Sequence, residues 1–334
     1  MPNTAVPHSS HSRRTRIGVA VTFAALSQVE HLAVEESLRR ACSLAENWEL
    51  AFVNYGLKPI GSSTSTPDLL VYLGESSRFE NVAGQIAQRV PVVFVKSTVE
   101  ELLIRPAGGP MRYRMSTGVF GIAQALAGSA PLVPTVDWTS LPWPAALAQY
   151  LHLDPGEQSY VTISIDTFRQ AAAQRGIQWQ HGLPANGQPF SIFLTMHDPA
   201  AASLADYALR TWPQCTVIAA DGMSSTAASN GSPWPDRLIR VRHWTALSRS
   251  QSNLLYRSAL GASLPDIDSP GMLFGTLHLL DTLLGAGAQP ESLEKGGRKP
   301  GPLGLMRMTT SGHPDPERVI IFRGHKWNVI NIRL

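Results

Sequence analysis

Residues 68–98 read DLLVYLGESSRFENVAGQIAQRVPVVFVKST, and this stretch decides the fold. Residues 69–73 form an apolar run with no polar break, as a strand buried on both faces requires. Gly74-Glu75-Ser76-Ser77 is turn chemistry. Val82, Gln85, Ile86 and Arg89 follow a helical period, and Pro91 stops that helix before a second apolar run at 92–95. Two apolar strands joined by a helix make a βαβ unit, with parallel pairing and a right-handed crossover. Ligands of such sheets bind just beyond the carboxyl ends of the strands. Those ends are here 74–77 and 96–98, two small hydroxyl-rich loops on one edge.

Upstream of this unit, 16–23 is predicted as a strand, 30–46 as an amphipathic helix, 49–54 as a strand and 61–67 (GSSTSTP) as a flexible loop. Downstream, 111–115 reads as a short strand, and a helix begins at 120–126. Residues 130–144 hold four prolines and two tryptophans, a composition that excludes regular structure and reads as a lobe junction or an insertion. A helix resumes at 145–151. Alternation restarts at Tyr160: strand 160–165, helix 167–174, strand 190–196, helix 199–211, strand 216–220. A strand at 238–243, helices at 245–260 and 271–284, a charged Gly-rich loop at 291–302 and a hairpin at 318–323 and 327–332 complete the chain. The prediction is an α/β protein with two Rossmann-like lobes built on parallel sheets. Residues 1–15 form a disordered tail, 16–130 the N-terminal lobe, 131–154 the junction, 155–240 the C-terminal lobe, and 241–334 crossing helices and the closing hairpin.

Hydrophobic residues make up 43% of the 334 and charged residues 16%, the balance of a globular chain that spans two ordinary domains. The net charge of +3 is spread thinly and no basic run interleaves with aromatics, so nucleic acid is not an expected partner. No apolar run approaches the roughly 20 residues that span a bilayer. Arg13-Arg14 before the run 17–26 invites a twin-arginine export reading. That run lacks a small-residue cleavage pattern and leads straight into a charged helix, so it is expected to be the first core strand. Two cysteines about 170 residues apart, Cys42 and Cys215, suit free thiols in a reducing compartment. The expected location is therefore cytoplasmic, with export as the alternative.

Enzyme signatures are missing: there is no phosphate loop, no G-x-G-x-x-G after the first strand, no G-x-S-x-G and no zinc-ligand spacing of histidines. No cofactor and no metal are expected. His197-Asp198 before Pro199 reads as a helix N-cap rather than an acid/base pair. Ser76, Ser77, Ser97 and Thr98 cap helices or, with helix N-terminal amides, accept a carboxylate, and both roles can hold at once. Asp221-Gly222, after the strand at 216–220, is either a turn or a carboxylate facing those loops across a cleft. Trp138, Trp143 and Trp234 lie in Pro-rich loops and either line that cleft or cover the junction.

Several stretches resemble the type I periplasmic binding proteins, in their leucine/isoleucine/valine-binding branch. They are VPVVFVKST followed by MRYRMS, ADYALRTW followed by CTVIAADGM, SPGMLFGTLHLLDTLLGAGAQPESL, and the ending HPDPERVIIFRGHKWNVINI. The resemblance implies two lobes joined by crossing segments that close on a ligand. It implies that the loops at Ser76, Ser77, Ser97 and Thr98 hold a ligand carboxylate, and that Asp221-Gly222 holds an amine. Where the family commonly places Tyr-Gly after the first strand of lobe two, this chain has Asp166-Thr167-Phe168, which makes Asp166 and Phe168 candidates as well. The implied function is a small-molecule-binding or sensor protein for an amino acid or amide-like ligand, not an enzyme. A regulatory protein partner and a homodimer are compatible with it. The alternatives are a degenerate cleft that binds a protein partner and, further off, a two-lobe enzyme such as a glycosyltransferase.

Overall fold

The computed structural model describes residues 13–22, 28–56, 59–60, 66–74, 78–97, 108–153, 155–185, 187–195, 200–219, 235–245, 247–260, 267–323 and 326–332. Lobe one is centred on β1 (Thr15–Thr22), which pairs in parallel with β2 (Trp48–Tyr55) on one side and β3 (Leu69–Gly74) on the other. β4 (Val92–Phe94) and β5 (Arg112–Arg114) extend the parallel sheet, giving the order β2-β1-β3-β4-β5. The unbroken apolar run of β3 serves two cores at once because successive side chains point to opposite faces. Leu69, Val71 and Leu73 join Ile17, Val19 and Val21 against α1 (Gln28–Leu44). Leu70 and Tyr72 face Phe79 and Val82 of α2 (Phe79–Ala87). Each fully buried aliphatic side chain contributes about 1.5–3 kcal/mol relative to exposure, so β1 cannot be removed without losing the lobe.

Lobe two is a seven-stranded sheet of order β15-β14-β10-β9-β8-β6-β7. β6 (Thr135–Asp137), β7 (Trp179–Gln180), β8 (Phe190–Leu194), β9 (Cys215–Ala219) and β10 (Leu238–Arg242) are parallel. The expected closing hairpin, β14 (Glu317–Arg323) and β15 (Lys326–Ile332), adds antiparallel to β10. Helices α3 (Val119–Ser129), α4 (Pro155–Ala173) and α5 (Ala200–Thr211) share its core.

Three expectations need correction. The stretch 160–165, read as the first strand of lobe two, lies inside α4. Val161, Ser164, Ile165, Phe168, Ala171 and Ala172 are buried at helical spacing, and packing on α3 and the sheet overrides the strand propensity of Tyr160-Val161-Thr162-Ile163. The first strand of lobe two is instead β6, inside the Pro-rich stretch thought to exclude regular structure. Its three residues fit between Pro134 and Pro142, and the Pro134 carbonyl still accepts from Ser191 N–H at 2.9 Å. The supposed loop 291–302 contains a 3-10 turn, Pro290–Gly296, and β11 (Lys299–Gly301).

The C-terminal helices belong to lobe one's core as well as to the crossing. α6 (Gln251–Leu260) supplies Tyr256, and α7 (Asp268–Gly285) supplies Leu273, Leu277 and Leu280 to the cluster around β1 and β3. β11, β12 (Gly304–Met308) and β13 (Pro314–Asp315) form a small antiparallel sheet beside them. The turn before β13 abuts β5, where Arg114 N–H donates to Gly312 O at 2.7 Å. Gly312 has φ +85°, and a Cβ there would fall 2.1 Å from Arg112 O, so only glycine fits.

Candidate functional site

Three chain segments pass between the lobes. The first, 115–118, leaves the carboxyl end of β5 for α3. The second, 243–250, leaves the carboxyl end of β10 for α6. The third runs from β13 in lobe one to β14 in lobe two. Because β5 and β10 are parallel members of their sheets, both sheets present their carboxyl edges to the crossings. This is the edge at which open α/β sheets bind ligands, here doubled and face to face.

Polar side chains fasten the crossings. Arg114 donates to Glu317 Oε1 at 3.0 Å, linking the end of β5 to the start of β14, and also lies 2.8 Å from His313 Nδ1. Thr117 Oγ1 donates to Arg318 O at 2.9 Å. Lys96, just past β4, pairs with Asp268 at 3.3 Å, and Asp268 Oδ1 accepts from His243 N–H at 3.1 Å. Trp244 anchors the second crossing in lobe one: its Nε1–H donates to Asn253 Oδ1, and its ring lies so close to α7 that a Cβ on Gly271 would be 2.1 Å away. Burial pushes the Glu317 carboxyl up. The His313 contact and the Arg114 charge outweigh burial and hold it below its ordinary 4.5.

Of the expected site residues, Ser97 is described. It is 3% exposed, and its N–H donates to Ser116 Oγ at 2.9 Å, so the loop after β4 is tied to the first crossing. Ser76, Ser77, Thr98, Asp221 and Gly222 lie outside the described residues, as do His197, Asp198 and Trp234. Asp166 and Phe168 are not in a loop after a strand. Asp166 lies in α4 and pairs with Arg169 at 2.8 Å. Phe168 is fully buried and stacked on Phe193, ring centroids 4.0 Å apart, which makes it a core residue of lobe two. The residues that follow the true first strand of lobe two are Trp138 and Thr139. Trp143 does not line the crossings. It packs on Tyr207 and Trp212 at 5.8 and 5.7 Å and pins the segment 138–153 to lobe two. The Arg114–Glu317 and Lys96–Asp268 pairs escaped the sequence reading. Their one local signal is the MRYRMS run, which places Arg112 and Arg114 in a short strand that must be buried. Arg112 there meets Glu80 at 3.4 Å and sits 5.5 Å from the Phe79 ring centre.

Cys42 and Cys215 are free thiols, and burial pushes the Cys215 thiol up to about 12. Among the described residues no helix is long and apolar enough to cross a membrane, and no three His, Cys, Asp or Glu side chains gather as a metal set.

Two α/β lobes joined by three crossings, with the first sheet ordered β2-β1-β3-β4-β5, constitute the type I periplasmic-binding-protein fold. Solved structures of that fold match along nearly the whole chain. A leucine-binding protein LivK from Thermotoga maritima superposes with a TM-score of 0.68 at 14% identity, over 95% of this chain and 99% of that one. A solute-binding protein of an ABC transporter from R. palustris, in complex with benzoate, gives 0.62 at 12% identity, over 96% of each chain. The branched-chain amino acid substrate-binding protein LivJ from Streptococcus pneumoniae, in complex with isoleucine, gives 0.63 at 11% identity, over 96% and 100%. No protein-family model matches the chain, and no curated protein matches it.

Proposed function

We propose that this chain is a binding protein that closes its two lobes on a small polar ligand, an amino acid or amide, and that it is not an enzyme. The observation that carries this reading is the meeting of two parallel sheets, carboxyl edge to carboxyl edge, across three crossings. Proteins of the same fold are named for, or hold, small molecules: leucine and isoleucine, which are amino acids, and benzoate, which is an aromatic carboxylate. In this reading Ser76, Ser77, Ser97 and Thr98 line the lobe-one wall as donors, while Asp221 and Gly222 line the facing wall. Asp166 and Phe168 are left out of it, because α4 places one in an intrahelical ion pair and the other in the core.

A second reading is a cleft that has turned to partner binding. It is favoured by Ser97, whose amide is already taken by Ser116 and is no longer free for a ligand. A regulatory partner and a homodimer belong with the sensor version of either reading. The cytoplasmic location is kept as the reading, and the run 17–26 is read as a core strand rather than a cleaved signal, because its described part, 17–22, lies in β1. One protein of the fold is named as periplasmic, and cell fractionation decides between the two compartments.

A thermal-shift screen against amino acids, amides, sugars and nucleotides tests the binding reading. A ligand at 100 times its Kd adds about 2.7 kcal/mol of stability, a shift of several degrees. If no amino acid or amide shifts the transition at about 10 mM, while a protein partner co-purifies and does, the second reading replaces the first.

A further inference from the structure

The two lobe sheets have four edge strands, and three of them are guarded against pairing with another chain. β7 is two residues long. β5 is three, and its Arg114 N–H is already taken by Gly312 O. β2 carries the exposed Glu49 and a register shift against β1. β15, KWNVINI, has none of these devices: it runs for seven residues, with no proline and one charge, Lys326, at its end. Among the described residues no strand pairs with its outer side. Asn328 and Val329 point to opposite faces and both are exposed, so the edge is open from either side.

The backbone phase of that edge follows from the hairpin. Arg323 pairs with Lys326 across a two-residue connection, which only a hydrogen-bonded pair can close. Bonded and unbonded pairs then alternate. Trp327, Val329 and Asn331, opposite Phe322, Ile320 and Arg318, therefore turn their N–H and C=O groups outward. The same phase turns Arg318 O away from β15, where it accepts from Thr117 Oγ1 at 2.9 Å. The three outward residues are symmetric about Val329. An antiparallel copy of the strand, related by a two-fold axis at Val329, meets each outward donor with an outward acceptor. Val329 then faces its own copy, and Trp327, which stacks on Phe322, faces Asn331 of the second copy. Lys326 falls opposite Ile332, and the two lysines lie roughly 20 Å apart, so no like charges meet.

We propose that β15 is a self-association edge: two copies of this chain pair their β15 strands antiparallel about Val329 and join the two lobe-two sheets into one. A seam of one strand is small for a permanent dimer, so the association is reversible, with a Kd of about 10–100 µM. It needs no ligand between the lobes.

The test is sedimentation velocity of the full chain from about 1 to about 300 µM, a range that brackets this Kd. The parent protein should pass from monomer to dimer across it. Val329→Lys sets like charges opposite each other at the axis and should weaken association about tenfold, as should Val329→Glu. An equimolar mixture of the two sets opposite charges there and should bring association back, which no register centred elsewhere would do. Val329 is 40% exposed, so both variants should keep the parent's melting transition. Val329→Pro removes an outward N–H without touching the β14 ladder and should weaken association as well, an arm that survives if a charged variant fails to fold. The proposal is overturned if the parent stays monomeric at about 300 µM, which would leave the edge to a strand of a different protein. It is equally overturned if Val329→Lys and Val329→Pro dimerise like the parent, or if the mixture associates no better than either charged variant alone.

Discussion

Arg114, the last residue of β5 in lobe one, donates a 3.0 Å hydrogen bond to Glu317, the first residue of β14 in lobe two, and the two side chains are 1% and 3% exposed. An ion pair this deeply buried gains little net stability, because desolvation offsets attraction. What it does is fix geometry. Two crossings are tied where both must turn from one sheet to the next.

Removing one partner should therefore hurt far more than removing both. Arg114→Ala leaves the buried Glu317 carboxylate with His313 alone and should cost about 3 kcal/mol in urea denaturation, the low end for breaking a buried pair. The double variant Arg114→Met with Glu317→Leu should recover most of that loss. If it is no more stable than Arg114→Ala, the loss does not come from an unpaired buried charge.

Acid should release the same contact. The Glu317 carboxyl titrates below its ordinary 4.5 in the folded protein. Its contribution is therefore complete above about pH 4.5 and is lost as pH falls through the lower folded value. The urea-midpoint gap between the parent protein and Glu317→Gln should narrow as pH falls below about 4.5. A gap that widens in acid would contradict this sign.

Gly312→Ala is predicted to be costly for a one-methyl change. The positive φ costs about 1 kcal/mol by itself, and the clash is with the backbone of β5, which cannot swing aside as a side chain would. A loss of about 2 kcal/mol or more in thermal or chemical melting is expected, whereas Gly176→Ala, with a similar φ but open space, should cost only the conformational part.

Val19→Asp should unfold lobe one. Val19 is fully buried in β1, the strand between β2 and β3, and an unpaired charge there costs several kcal/mol. A folded Val19→Asp protein with a native near-ultraviolet dichroism spectrum would show that 17–26 is not the core strand.

Much of lobe one was legible because its strands are unbroken apolar runs punctuated by Gly74 and Pro91, and burial on both faces leaves such runs few alternatives. β6 was not, since three residues among four prolines carry no period to detect. α4 was read as a strand because Val161, Thr162 and Ile163 are β-branched. Its helical signal, Val161, Ile165, Phe168 and Ala172, emerges only over three turns. That single misreading moved the residues expected after the first strand of lobe two from Trp138-Thr139 to Asp166-Thr167-Phe168.

The inter-lobe site remains the central claim, and Asp221 tests it most directly. Calorimetric titration of the parent protein, Asp221→Ala and Ser77→Ala should use the amino acid or amide with the largest thermal shift. Losing one partner of a desolvated charge pair should cost Asp221→Ala about 2–4 kcal/mol, which is roughly 30-fold to nearly 1,000-fold in Kd. Ser77→Ala should cost about 1 kcal/mol, because backbone amides still hold the carboxylate. Equal affinity in all three proteins would place the ligand elsewhere and contradict the account.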